Sequence, residues 1–550
     1  LRLCGAVSIH DAGCLSLLDD RGDARAYRNI RRLVDCTTTR ATPPQHTVAA
    51  RPLPGMITAI DRPLMCPGPA RRCDHDAMRQ IDVQAAPLEM LGALLTRDRS
   101  ERLMATATRA RALLAGRVVW NVNATAHGGG VAEMLQALLA YARGAGVDAR
   151  WLVLDADPEF FAITKRVHNA LHGAVHAGSE LGASEHEHYA RVLDRNQTSL
   201  RKQVRPGDIV LLHDPQTAGL IGGVHETGAH VIWRCHIGRD ERNAESDRGW
   251  EFLRGYLDNA DAFVFSRERY VPEWLPPERV RVIPPSIDPF SSKNRDLDDD
   301  QVGRLLRRVG LIAGVDSEEV EFTRRDGTPG VVHRRENLLS GSEPPPADSP
   351  LVVQVSRWDR LKDMAGVLAA FGAYVGEARH DAHLMLVGPD VSGVSDDPEG
   401  AEVLAACRAA WERLAAPIRA RCHLASIPMD DVDENAIIVN AVQRHATVVV
   451  QKSLVEGFGL TVTEAMWKSR PVLASAVGGI QDQILDGKDG LLVPDPHDLP
   501  GFAQRLLLLL DDPVLAAGLG QQGRERVRDD FIGDRHLIQY VDLFDELIAP

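Results

Sequence analysis

From residue 117 onward, short apolar runs alternate with stretches whose apolar residues recur at helical spacing. RVVWNVN (117–123), ARWLVLDA (149–156), DIVLLHD (208–214), HVIWRCHI (230–237) and AFVFS (262–266) read as strands. Between them VAEMLQALLAYARGAG, EFFAITKRVHNALHG and the stretch 185–203 read as helices. This alternation predicts a parallel sheet with helices on both faces. The rhythm breaks from RVRVIPPSID (279–288) to about residue 350, where SSKNRDLDDD, VDSEEVEFTRRDGTPG and SGSEPPPADS have the polar, Gly/Pro-rich character of linkers and surface insertions. It resumes with LVVQVSR (351–357), HLMLVG (383–388), CHLASI (422–427), TVVVQ (447–451), PVLAS (471–475) and GLLV (490–493), predicting a second doubly wound domain. The last run, RHLIQYVDLFDELI, is apolar at helical spacing and is expected to pack across the domain junction.

Residues 1–77 differ from the rest, being rich in Arg, Pro, Thr and Cys with no sustained period. They are expected to be poorly ordered, an extension ahead of a natural start at Met78 that takes no part in catalysis. The expected division is an extension over 1–77, a first domain over 78–288, a linker with an insertion over 289–350, a second domain over 351–525 and a closing helix over 526–550.

Composition narrows the function. A chain of 550 residues, 44% hydrophobic and 25% charged, has room for two to four domains. Its net charge of −14 argues against a nucleic acid partner, which calls for a broad basic face, but leaves room for a small anionic ligand. No apolar run approaches the length of about 18 residues that a membrane helix needs. Five of the eight cysteines lie in the first 73 residues and no CxxC pair occurs, so the thiols suggest a reducing compartment and a cytoplasmic location.

Two α/β sheets in tandem direct the carboxyl ends of their strands into a shared cleft, where ligands of open sheets bind. Several polar motifs fall at those ends. Gly128, Gly129 and Gly130 follow the first strand and open a helix, which suits an anion, although a tight turn alone would read the same way. GGGVAEM is neither GxGxxG nor a P-loop, which weakens a dinucleotide reading with Asp155 on the ribose. Arg357 and Lys362, five residues apart after the first strand of the second domain, could hold a diphosphate or simply be solvated. His213 and Asp214 end one strand and His236 the next; the position turns His213 toward the cleft. In EGFGLTVTE, Glu456 and Glu464 stand eight positions apart around two glycines, and Thr461 to Glu464 also reads as a capping box. The Asp155–Ala156–Asp157 stretch offers a weak metal-chelating reading.

Taken together, these features resemble the retaining glycosyltransferases of family 4, which have the two-domain GT-B fold. The resemblance is to the trehalose-synthase branch of that family. It is carried by VNATAHGGGVAEML, EFFAITKRVHNALHG, LLHDPQTAGL, WRCHIG, VSRWDRLKD and QKSLVEGFGLTVTEAMWKSRPV, over roughly residues 115–545 with an interruption at 313–350. It implies transfer of glucose from a nucleoside diphosphate glucose to free glucose, with the anomeric configuration kept and the leaving phosphate accepting the proton. The first domain would then serve the acceptor and the second the nucleotide sugar. Glu464 would bind ribose hydroxyls and Glu456 the donor sugar, with the main-chain amides of Gly457, Phe458, Gly459 and Leu460 facing sugar and phosphate. Arg357 and Lys362 would stabilise the diphosphate, Gly129 and Gly130 would approach it from the other side, and His213 would contact the reacting centre. Asp214, Gln216 and His236 would lie on the acceptor side. Neither a metal nor a cofactor is implied, and the partners expected are small sugars and nucleotide sugars. Alternatives are a trehalose phosphorylase of the same fold, a transferase with another acceptor, a nicotinamide-dependent oxidoreductase and a non-catalytic sugar-nucleotide sensor.

Overall fold

The strand Val119–Asn123 is buried at every position, as a strand covered on both faces must be. It lies inside a seven-stranded sheet whose order is Val280–Val282, Ala262–Phe265, His230–Cys235, Ile209–His213, Val119–Asn123, Ala149–Leu154 and Met78–Ile81. All neighbours run parallel except Met78–Ile81, which pairs antiparallel with Ala149–Leu154 at the edge. The structure is a computed structural model that describes residues 7–10, 14–18, 24–26 and 78–549, apart from 127–128, 175–180, 316–317, 336–337, 341–342, 376–380 and 392–397.

A second sheet has six strands, all parallel, in the order Cys422–Ile427, His383–Pro389, Leu351–Val355, Val448–Gln451, Val472–Ser475 and Leu491–Val493. In each sheet the chain reverses its direction of winding beside one strand. That strand is Val119–Asn123 in the first sheet, flanked by Ala149–Leu154 and Ile209–His213, and Leu351–Val355 in the second, flanked by His383–Pro389 and Val448–Gln451. Helices leave on opposite sides at such a point and open a crevice at the carboxyl ends. The glycine turn and His213 follow the first switch point; Arg357, Lys362 and Glu456 follow the second.

The run RHLIQYVDLFDELI lies in the helix Gly533–Ile548, with Tyr540, Val541, Leu543 and Phe544 packed against Ala110 and Met134 of the first sheet's helices. A backbone bond from Ile287 N–H to Phe531 C=O (2.9 Å) anchors the chain that leads into it. Sequence periodicity did not reveal the edge strand Met78–Ile81, the short strand Val280–Val282, or the helices Leu88–Gly92 and Arg97–Leu113. The last of these buries Leu103, Thr106, Ala107 and Ala110, a stripe of small residues that carries little hydropathy signal among its arginines.

Part of the polar stretch 313–350 forms an antiparallel hairpin, Val320–Thr323 with Pro329–Val332. It lies against the helix Val432–His445, where Glu434 accepts the His333 N–H (2.7 Å) and an Arg335 guanidinium N–H (2.8 Å). Most of residues 1–77, expected to be poorly ordered, lies outside the described residues. Those described form three strands, Val7–His10, Cys14–Leu18 and Ala24–Ala26, paired antiparallel in a unit of their own. Among the described residues no helix is long and apolar enough to cross a membrane.

Candidate active site

Past the strand Leu351–Val355 the chain is held in a tight path. The buried Trp358 donates from Nε1 to Pro389 C=O (2.9 Å), Asp359 accepts the Leu361 N–H (2.8 Å), and Asp363, at φ +45°, accepts the Gly366 N–H (3.1 Å). Arg357 is thereby left half-exposed, with Nη2 3.4 Å from Asp359. Lys362 points inward, its Nζ 2.5 Å from Glu456 Oε2, which also accepts from Ser453 Oγ (3.0 Å). Burial opposes ionisation of Asp359, but the Arg357 and Lys362 cations outweigh it and hold the carboxyl below its ordinary range.

The loop after Glu456 is shaped by close approach. Gly459 sits at φ +86°, the left-handed region that favours glycine, and a Cβ on Gly457 would lie 3.0 Å from the His236 carbonyl of the first domain. The helix Leu460–Trp467 begins there without the capping box that its sequence suggests. Gly459 takes the cap position, and Thr461 instead donates to Gln451 Oε1 (3.0 Å). The ring of Phe458 turns into the core, 5.9 Å from the Phe531 ring. Glu464 is buried, with Oε1 3.7 Å from Lys293 Nζ and Oε2 without a hydrogen-bond partner. Burial raises its pKa, and a buried acceptor of this kind has capacity for a hydroxyl donor.

From the first domain, Gly129 at φ +94° leads into the helix Gly130–Gly144, and a Cβ on Gly130 would stand 3.0 Å from Leu460 Cδ1. The glycine turn and the loop after Glu456 therefore meet across one crevice. His213 does not face it as expected. It is buried, with Nε2 3.1 Å from Asn121 Oδ1 and Nδ1 3.2 Å from His236 Nε2. His213 pairs with Arg234 on the neighbouring parallel strand and His236 follows two residues on, so both rings lie on one side, stacked 5.5 Å apart, with His236 partly exposed past the strand end and His213 buried behind it. With Asn121 Oδ1 accepting, His213 carries its proton on Nε2 and accepts from His236, whose Nδ1 is then an acceptor. Both rings are neutral: burial and then the Arg234 cation bring His213 down to about 3 and His236 well below its ordinary value. Asp214 accepts the His236 N–H (2.7 Å); burial pushes its carboxyl up to about 7 against that bond and Arg234. Gln216 lies in the turn Pro215–Leu220 beside it, partly exposed.

Two family models match the chain, "Trehalose synthase, N-terminal domain" over residues 121–272 and "Glycosyl transferases group 1" over residues 337–526. The trehalose synthase of Thermococcus litoralis is 36% identical over 427 residues, which are 77% of this chain and 89% of the relative. The chain belongs to the trehalose synthase family of glycosyltransferases. It is a hexosyltransferase with the GT-B fold. The α,α-trehalose 6-phosphate synthase of Burkholderia multivorans shares that fold, with a TM-score of 0.57 at 15% identity over 79% of this chain and 99% of that one. A trehalose phosphorylase from Grifola frondosa is 26% identical over 74% of this chain, which spans 54% of its length. The nicotinamide-dependent reading is left without support.

In this glycosyltransferase several residues that sequence reasoning missed join the two lobes. Lys293, in the linker, donates to both carboxylate oxygens of Glu133 on the glycine-turn helix (2.7 Å each) while facing Glu464. The two carboxylates outweigh burial and keep its ammonium protonated. Tyr270 donates from its hydroxyl to the carbonyls of Glu456 (2.9 Å) and Gly457 (2.6 Å), fixing the loop from the first domain. His172 lies against Gly457 with Nδ1 3.1 Å from Gly238 C=O, and burial lowers its pKa to about 4. Lone polar residues like these carry no spacing signal. Asp157 of the DxD stretch caps the helix Pro158–Leu171 by accepting the Phe160 N–H (2.8 Å) and bonds His188. Among the described residues no group of three potential metal ligands converges.

Proposed function

We propose that the protein transfers glucose from a nucleoside diphosphate glucose to free glucose, forming trehalose with retention of configuration at the donor carbon. The observation that carries this reading is the Lys362–Glu456 contact at 2.5 Å, with Arg357 beside it and the Gly129–Gly130 turn opposite. A cation and a sugar-binding carboxylate share one corner there. The diphosphate would lie against Arg357, Lys362 and the N–H groups of the facing helix start, where charge on the leaving oxygen is stabilised in a crevice of low dielectric. Glu456 would accept from donor-sugar hydroxyls, Glu464 from the ribose, and His236 Nδ1 from a hydroxyl near the reacting carbon. His213 would orient His236. The acceptor hydroxyl attacks the anomeric carbon as the bond to the diphosphate breaks, and its proton passes to the departing phosphate oxygen. Because side-chain cations neutralise the leaving group, no metal or other cofactor is needed.

A second reading, phosphorolysis of trehalose, draws on the likeness to the Grifola frondosa enzyme, since orthophosphate would occupy the same corner. Two incubations separate them: nucleoside diphosphate glucose with glucose, and trehalose with orthophosphate. The proposal predicts a non-reducing disaccharide from the first and no glucose 1-phosphate from the second; the reverse outcome overturns it.

A further inference from the structure

A concave site lies at the opposite edge of the first sheet from the crevice, where the strands Val119–Asn123, Ala149–Leu154 and Ile209–His213 begin. Strands of five residues separate it from the catalytic ends by about 17 Å at the usual rise per residue. Its volume is about 270 Å³, and its walls carry four guanidinium groups, Arg111, Arg117, Arg150 and Arg205, against one lining carboxylate, Asp148. In a chain of net charge −14, so many cations on one concavity call for a reason.

Among the described residues only Arg150 of the four has a carboxylate partner, bonded to Asp148 through Nε (2.9 Å) and Nη2 (2.7 Å) while lying 5.1 Å over the Trp120 ring. Arg117 donates to Gly207 C=O (2.6 Å) and Arg111 to Thr108 Oγ1 (3.1 Å), so both are fixed by neutral groups. Arg111, Arg117 and Arg205 have no carboxylate partner among the described residues. The nearby Asp208 is buried and already accepts from Val118 N–H, Trp120 Nε1 and Arg205 N–H, which leaves the Arg205 guanidinium unpaired. Gln203 adds a neutral hydrogen-bonding side chain to the same wall.

We propose that this pocket is a second, non-catalytic site for a phosphomonoester with a body of hexose size. Planar guanidinium forks match phosphate oxygens in geometry and charge, and three unpaired ones exceed what a carboxylate would need. The cavity, about 270 Å³ and open to solvent, has room for a sugar beside the phosphate.

The test is calorimetric titration of the full chain with glucose 6-phosphate and with inorganic phosphate, in the wild type, in Arg111→Ala/Arg205→Ala and in Arg357→Ala. Arg111 and Arg205 are exposed, so the double variant should fold and keep its basal transferase activity. Binding is expected to weaken at least tenfold in the double variant, to persist in Arg357→Ala, and to fall with added salt. Tighter binding of glucose 6-phosphate than of phosphate would show that the sugar body is held; equal binding would limit recognition to the phosphate group and overturn the hexose part of the proposal. No binding in the wild type, unchanged binding in the double variant, or loss in Arg357→Ala overturns the site.

Discussion

Lys362 Nζ lies 2.5 Å from Glu456 Oε2, joining the loop after the first strand of the second sheet to the loop after the fourth in chain order. The two side chains are 94 positions apart in the chain and meet because their strands are neighbours at the switch point. The pair predicts strong coupling. Lys362→Ala leaves the Glu456 carboxylate without its cation, and we expect kcat to fall by about 10²–10³. Lys362→Ala/Glu456→Ala should lose less than the two single losses combined, with a coupling energy of about 1 kcal/mol or more in a double-mutant cycle. Additive losses would mean that the contact has no functional weight.

Asp214, raised to about 7 by burial, changes charge where most enzymes work. If its ionised form accepts from the acceptor sugar, kcat/KM rises with pH through an inflection near 7, and Asp214→Asn removes that inflection. The same group should cost stability as pH rises, because its protonated form is the one the fold favours. Its contribution is full below the ordinary carboxylate pKa and lost through about 7. A pH–rate profile of the variant that keeps the inflection would assign it elsewhere.

Buried histidines act in the opposite direction. His172 is lowered to about 4, and His213 and His423 to about 3, chiefly by burial. Their stabilising effect is complete above the ordinary histidine pKa and is lost as pH falls from about 6.5 toward those values, since the unfolded chain takes up protons that the native one refuses. Each contributes a slope of about 1.4 kcal/mol per pH unit in that window. Urea unfolding between pH 7 and 4.5 should show this loss, with the slope reduced by about one proton in His423→Leu.

Much of the architecture was legible because strands buried on both faces read as plain apolar runs, as TVVVQ does, and helices between them keep their period. The EGFGL loop and the VSRWDRLKD corner were legible as one candidate site because their carboxylates, cations and glycines follow strand ends, and Lys362 and Glu456 do meet there. What was not legible depends on partners distant in the chain. The orientation of His213 against His236 turns on Asn121, 92 positions earlier. Lys293 gains its meaning only beside Glu133 and Glu464. The capping box at Thr461–Glu464 was a sound local reading, but burial against Lys293 and Gln451 overrode it.

Tyr540 on the closing helix donates structure to the site from the far end of the chain. Its hydroxyl and His536 Nε2 (2.9 Å) receive the fully buried Arg234, the cation that follows burial in lowering His213. Tyr540→Phe leaves that guanidinium short of an acceptor and is expected to cost about 1–3 kcal/mol. Denaturant unfolding that shows no loss would mean that another group satisfies Arg234.

The most direct test of the account is the formation of trehalose from ADP-, UDP- or GDP-glucose and free glucose in excess EDTA. Neutralisation of the leaving diphosphate by Arg357, Lys362 and main-chain N–H groups predicts full turnover with at least one of these donors under chelation. An absolute requirement for magnesium or manganese would contradict it.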